Sequence, residues 1–289
     1  MKPEDYPALF KSADAASNGF QRSFLRLIRL EYGLLIVAAI LSVPGINSAT
    51  WYAVVAFILI LSAATLLTRS IWKPEQHWYK ARALAESVKT LTWRYAMAAH
   101  PFDKETETEN RAEMRENLQR LLHSNPELVG RLADEASADD QVTAAMERLR
   151  SMSLADRKRF YQEHRVSDQR SWYSRKAAWN AKMARRWVAA SVLGYVVAIL
   201  LSLARISWPD WTVWPIEPII VAAGAIVGWV QIKKFNELGA AYSVTAQEIG
   251  LINITLDNAD SVRSFSDFVN EAEGAFSREH TLWIARQAN

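Results

Sequence analysis

The side chains able to do chemistry are scattered along this chain rather than gathered. Its five histidines, His77, His100, His123, His164 and His280, stand singly, with no HExxH pair and no ligand spacing suited to a metal. GxSxG, P-loop and GxGxxG stretches are all missing. The chain has no cysteine, which excludes disulfides and cysteine-based zinc sites. Neither catalysis nor a bound cofactor is therefore expected. The basic run Arg157-Lys158-Arg159 through Arg170 carries no aromatic platform or recognisable nucleic-acid module. A charged helix face accounts for it, and direct nucleic-acid binding is not expected.

Glu217 is the sharpest single residue. It lies within Pro215-Ile216-Glu217-Pro218, about one turn into an apolar run. An ionisable group at membrane depth is costly and commonly faces a bundle interior or water. In an oligomer such a carboxylate forms an acidic ring at a pore mouth; at headgroup level, beside Trp214, it is simply wet. Both alternatives stay open. Arg205, at the outer end of the preceding apolar run, is placed to pair with Glu217 or to snorkel. Gly224 and Gly228 have the GxxxG spacing that lets helices approach closely. Arg82 and Glu86, spaced i,i+4, are placed to pair on a helix surface. Glu248 occupies a position resembling that of Glu86 in a second helical tail.

These residues must be positioned by membrane helices. Tyr32 to Thr68 is a stretch of 37 residues without a charged side chain, interrupted by Pro44-Gly45-Ile46-Asn47. Crossing about 30 Å of hydrocarbon takes about 20 apolar residues, so two helices joined by a turn fit this stretch. The spacing predicts spans over about 24–43 and 51–71. A second hairpin follows, with spans over about 187–206 and 212–232. The fold class is all-α and integral to the membrane: four spans in two hairpins, with long cytoplasmic amphipathic helices. Residues 1–150 form a first unit of lead, hairpin and tail, and residues 151–289 a second, in parallel rather than inverted duplication.

The net charge is only +3, but cations are unevenly placed. Arg22, Arg26 and Arg29 precede the first span, and Arg69, Lys73, Lys80 and Arg82 follow the second. Arg175, Lys176, Lys182, Arg185 and Arg186 precede the third, and Lys233 and Lys234 follow the fourth. The loop between the first two spans carries no charge. Cations accumulate on the cytoplasmic side, so both termini and the middle segment are expected there, with membrane lipid as the partner of the basic clusters. No signal peptide is expected, because the first apolar run starts late and lacks a cleavage pattern.

Outside the spans the periodicity is helical. Residues 1–19 suggest a loose lead or short helix. Trp78, Ala81, Ala85, Val88, Thr92, Tyr95 and Ala99 form one seam, closed by His100-Pro101. Met114, Leu118, Leu121 and Leu122 stripe a charge-dense stretch over Asp103 to His123. Helix starts are expected at Asn125-Pro126, Ser137-Ala138-Asp139-Asp140 and Ser153-Leu154-Ala155-Asp156. From Ser153 helical character continues into the third span through a face of Tyr161, Arg165, Gln169, Trp172, Lys176 and Asn180. Phe235, Tyr242, Ile249 and Leu256 repeat every seven residues, as do Leu238, Thr245 and Ile252, until Asn258-Ala259-Asp260 interrupts them. A last helix over Ser264 to Gln287 presents Phe265, Val269, Ala272 and Phe276.

Three strings carry a family resemblance. Trp78 to Phe102, WYKARALAESVKTLTWRYAMAAHPF, resembles the segment following the hairpin in the SLATT superfamily, the SMODS and SLOG-associating two-transmembrane effectors. Tyr161 to Asn180, YQEHRVSDQRSWYSRKAAWN, and Asn270 to Arg286, NEAEGAFSREHTLWIAR, resemble the lead helix and C-terminal end of a second SLATT type. The resemblance implies a bacterial inner-membrane effector of a conflict or antiphage system. Such effectors are proposed to oligomerise and open a pore or channel that depolarises the membrane when triggered. A homo-oligomer is implied, as is a sensor protein or nucleotide-second-messenger system encoded nearby, since two hairpins come here without a fused sensor domain. The competing expectation is a non-conducting scaffold that recruits a defence partner through its cytoplasmic helices.

Overall fold

A computed structural model describes residues 1–43, 46, 48–132, 140–256 and 259–287, with side chains as far as residue 277. The described residues are almost entirely helical and contain no strand. Pro44, Gly45 and Asn47 of the expected turn, the helix start at Ser137 to Asp139, Asn258, and the His280 side chain lie outside the described residues.

The elements are α1 (Ala8–Leu41), α2 (Ala49–Trp72), α3 (Pro74–Ala96), α4 (Glu107–His123), α5 (Pro126–Leu132) and α6 (Ala144–Arg150). After these come α7 (Leu154–Tyr161), a π-helical segment (Gln162–Ser167), α8 (Asp168–Ser207), α9 (Ile216–Lys233), α10 (Phe235–Leu256) and α11 (Val262–Gln287). The chain forms two compact units that do not follow its linear duplication. One contains residues 1–21, 75–176 and 241–289; the other contains 22–74 and 177–240.

The first unit is a helical core closed by the predicted seams. On α3, Ala81, Ala85, Val88, Thr92 and Tyr95 are all buried, joined by Leu84 and Trp93, and Met97 and Ala99 just beyond the helix are buried too. Met114 and Leu118 of α4 are buried, as are Ile249 and Leu256 of the heptad and Phe265, Val269, Ala272 and Phe276 of α11. The Val, Leu, Ile, Met and Phe side chains among these contribute about 1.5–3 kcal/mol each on burial, so the seams are what hold these helices together. Pro126 opens α5, where its missing N–H costs nothing. Ser153 caps α7, its Oγ accepting from the Asp156 N–H at 3.2 Å and donating to Asp156 Oδ2 at 2.7 Å.

Four expectations are corrected. Residues 1–19 are not a loose lead: α1 begins at Ala8, and Leu9, Ala13 and Ala16 are buried in the first unit. An alanine-rich start favours helix, and residues of the middle segment anchor it, with Asp140 O accepting from the Ala8 N–H at 3.2 Å and Gln141 Oε1 from that of Leu9 at 3.2 Å. Helix α3 stops at Ala96, before His100-Pro101 can end it. Ala98 adopts a left-handed φ of 50°, and the Ala98 and Ala99 N–H groups turn back to Tyr95 O at 3.0 Å and Arg94 O at 2.9 Å. Along the face leading into the third apolar run Tyr161, Arg165 and Asn180 are buried as expected, whereas Tyr173 is buried where Trp172 was expected and Lys176 is exposed. Finally, the fourth apolar run turns helical only at Ile216, not at Thr212, with Pro215 and Pro218 confined to the cap and first turn.

The second unit contains the apolar helices. Ser62 of α2 is buried and donates from Oγ to Glu31 O on α1 at 3.3 Å. Trp51 Nε1 donates to Leu41 O at 2.9 Å, tying the start of α2 to the end of α1. On the other hairpin, Ser191 Oγ of α8 donates to Ala223 O of α9 at 3.3 Å. Gly194 lies so close that an added Cβ would come within 3.2 Å of the Ala223 Cβ. Among the described residues three helical runs, 49–96, 154–207 and 216–256, are long and apolar enough to cross a membrane. In α1, the charges of Arg26, Arg29 and Glu31 leave only Tyr32–Leu41, 10 residues, as an uncharged described run.

Each apolar helix that is followed by a tail ends in the same way. Lys73 after α2 and Lys234 after α9 both adopt left-handed φ values of 48°, and the next helix starts at the following residue. An L-residue in that region costs about 1–2 kcal/mol. The same strained bend thus recurs after two apolar helices, and the composition gave no reason to place it at lysine.

Candidate functional site

Two polar clusters stand out, one in each unit. In the second unit Glu31 of α1 and Arg69 of α2 form an ion pair at 3.1 Å, with side chains 12% and 26% exposed. The two residues flank apolar runs, and pairing across the hairpin is how such charges are tolerated next to lipid. Nearby, Trp229 of α9 receives cations on its ring: Arg29 Cζ lies 5.4 Å from the centroid and Lys233 Nζ 5.7 Å. Gly228, one residue earlier, meets Tyr32 of α1: an added Cβ would come within 3.0 Å of the Tyr32 Cζ and closer still to its hydroxyl. The cationic flanks, read from the sequence as topology signals, therefore also bind α1, α2 and α9 together.

The sequence-predicted residues of this unit are placed as follows. Within the chain Gly228 packs closely, whereas an added Cβ at Gly224 would meet nothing within 4 Å. Gly194, which the sequence did not single out, is the closer partner of Gly228 in role. Glu217 is exposed in the first turn of α9, where a carboxylate complements the helix dipole. Arg205 is exposed in the last turn of α8. Among the described residues no ion pair joins these two.

In the first unit, Arg82 and Glu86 pair at 2.8 Å across one turn of α3 as expected, and Lys89 Nζ approaches the same carboxylate at 3.6 Å. Arg82 also lies 3.8 Å from Asp14 of α1. Glu248 is exposed on α10, so the two tails are not equivalent at this position. Of the basic run, Arg157 turns inward and donates from Nη1 to Met97 O at 2.8 Å. Lys158 lies 3.4 Å from Asp260 and Arg159 3.2 Å from Asp156.

The centre of the first unit is a buried ion pair. Arg165, in the π-helical segment, donates from Nε to Glu273 Oε1 at 2.7 Å and from Nη2 to Glu273 Oε2 at 2.6 Å, with side chains 3% and 0% exposed. Tyr161 Oη donates to Glu273 Oε1 at 2.9 Å. The guanidinium lies 5.7 Å from the Trp93 ring centroid and 5.0 Å from that of Phe276, and Trp93 Nε1 donates to Tyr6 Oη at 3.0 Å. Burial works against the charge on Arg165, but Glu273 more than offsets it and holds the pKa above the ordinary arginine value. Burial, with the Glu273 charge, pushes the Tyr161 phenol well up. The arrangement is a bidentate lock between the π-helical segment and α11. Breaking one side of such a pair leaves an uncompensated buried charge, whereas removing both is tolerated far better.

The sequence named Arg165 only as a seam position and Glu273 only within a longer string. Both signals were nevertheless there. A cation on the seam that holds Tyr161 requires an anion, and Glu273 falls one turn from Val269 and from Phe276 on the inward face of α11.

Two family descriptions match the chain. SMODS and SLOG-associating 2TM effector domain 3 covers residues 7–158, and SMODS and SLOG-associating 2TM effector domain 1 covers residues 161–283. No curated protein and no solved structure matches it. The boundary between the two matched regions falls immediately before the π-helical segment that contains Arg165. Domains of this kind are associated with conflict and defence effector systems. With two such domains in tandem and long apolar helices in each, the chain belongs to the SMODS and SLOG-associating two-transmembrane (SLATT) effector family.

Proposed function

We propose that this protein is a bacterial inner-membrane effector of a defence system that oligomerises and opens a depolarising pore when triggered. The observation that carries this is the apolar surface on helices of both domains. Phe57, Ile60 and Leu67 on α2 are 59%, 64% and 59% exposed, and Leu193 and Leu200 on α8 are 63% and 59% exposed. Surface of this kind is satisfied by lipid or by another copy of the chain, not by water. Four crossings with both termini cytoplasmic follow from the cation distribution. Helix α1 serves as the first crossing, with its charges at the inner end and Glu31 neutralised by Arg69.

In this account α8 and α9 line the opening, with Glu217 at its outer mouth as a free carboxylate and Arg205 nearby. Glu217→Gln should lower cation preference in a conducting channel. The lock between Arg165 and Glu273 holds the cytoplasmic helices of the resting state, and α8 continues from the π-helical segment into the third crossing. A non-conducting scaffold is favoured by one observation, the exposed stripe of Val244, Leu251 and Ile254 on α10, at 57%, 66% and 66%. Topology is the first test, and the lack of native cysteine makes it clean. Ser48→Cys and Asp210→Cys should react with an impermeant maleimide from outside intact spheroplasts, and Glu105→Cys should not. Uniform or reversed labelling would overturn the four-crossing arrangement.

A further inference from the structure

Between α3, α4 and α11, within the first unit, lies a cavity of about 270 Å³ lined by Ser87, Thr90, Leu91, Arg94, Asn117, Arg120, Leu121, Ser124 and Ser277. Two guanidiniums, an amide and four hydroxyls face it, and no carboxylate lines it. Arg94 is held in place, its Nη2 donating to Asn270 O at 3.2 Å, yet its Nε–H is buried without a hydrogen-bond partner. Arg120 is steadied by Asn117 Oδ1 at 3.3 Å and by Glu116 Oε1 at 3.4 Å. Among the described residues the Ser87 and Thr90 hydroxyls make no hydrogen bond. Donors left unsatisfied around a positive cleft are what an oxyanion completes, and planar guanidiniums match phosphate oxygens bidentately.

We propose that this cleft binds a small soluble phosphomonoester, its phosphate between Arg94 and Arg120 and its hydroxylated group against the serines and Thr90. Small-molecule sites start at about 300 Å³, so the cavity suits a phosphate carrying one sugar-sized group and not a dinucleotide. None of the pore assignment is needed for this, and its failure would leave that assignment untouched.

The test is titration calorimetry of the full chain in zwitterionic nanodiscs with ribose 5-phosphate, inorganic phosphate and ribose. The sugar phosphate should bind, inorganic phosphate should compete with it, and ribose should give no heat. A charge-assisted hydrogen bond is worth about ten- to a hundredfold in affinity, so Arg120→Glu should weaken binding by that factor. Its thermal unfolding should stay unchanged, because Arg120 is on the surface. Ser124→Ala, a milder variant, should weaken binding only a few-fold. Absence of binding by both phosphates, equal binding of ribose, or unaltered affinity in Arg120→Glu would overturn the site. Loss of ribose 5-phosphate binding in discs doped with phosphatidic acid would assign the phosphate to a lipid headgroup and overturn the soluble ligand.

Discussion

Replacing Glu273 by alanine should be among the most damaging single substitutions in the chain. The carboxylate accepts three hydrogen bonds, two from Arg165 at 2.7 and 2.6 Å and one from Tyr161 at 2.9 Å, and is fully buried. Glu273→Ala leaves a guanidinium 3% exposed with no counter-charge. Losing one partner of a buried pair costs about 3–5 kcal/mol, or about two to four powers of ten in the folded-to-unfolded ratio. That is a large share of the total stability of a domain, which is about 5–15 kcal/mol. The double variant Arg165→Met, Glu273→Leu removes both charges from the apolar surroundings of Trp93 and Phe276 and should recover most of the loss. Pulse proteolysis across a urea series, on protein in nanodiscs, reads both changes. The reasoning is refuted if Glu273→Ala lies within about 1 kcal/mol of the native chain, or if the double variant is no better than the single one.

Three further outcomes follow from the geometry. Gly228→Ala forces the Tyr32 phenol to move and should cost about 1 kcal/mol in detergent thermal unfolding, whereas Gly224→Ala, facing open space, should be neutral; equal effects would contradict the contact. Lys234→Gly removes the penalty of a left-handed lysine and should stabilise by about 1 kcal/mol, whereas Lys234→Pro, which cannot adopt φ of 48°, should destabilise strongly; stabilisation by proline would show that the bend is absent. Burial, with its hydrogen bond to Glu147, raises the Tyr95 phenol to about 12. Because the folded value lies above the unfolded one, this stabilisation is fully present below about pH 10 and is lost between about pH 10 and 12. Tyr95→Phe should flatten unfolding-against-pH curves in that window, and an unchanged slope would contradict it.

Legibility in the sequence tracked periodicity. The α3 seam, the α10 heptad and the Arg82–Glu86 pair are set by spacing along one helix, and the structure has them where spacing puts them. Events that change the phase of a helix left little trace. The burial of Tyr173 in place of Trp172 has no mark in the spacing, and the left-handed bends at Lys73, Ala98 and Lys234 use residues that carry no turn signal of their own. Cross-chain partners were the least visible. Glu31 and Arg69 are 38 positions apart and Arg165 and Glu273 are 108 apart, so one-dimensional spacing pairs neither. Their types still hinted at partnership, since a charge on a buried face must be answered.

If the protein depolarises membranes as proposed, a voltage-sensitive dye will report it. Potential is followed in cells producing the chain alone, with its genomic neighbours, and under phage challenge, with membrane insertion verified in each. Depolarisation is expected when neighbours or phage supply the trigger. Glu273→Ala, by releasing the Arg165 lock, should depolarise without them. A steady potential under every condition, with the protein in the membrane, would contradict the pore and leave the scaffold in its place.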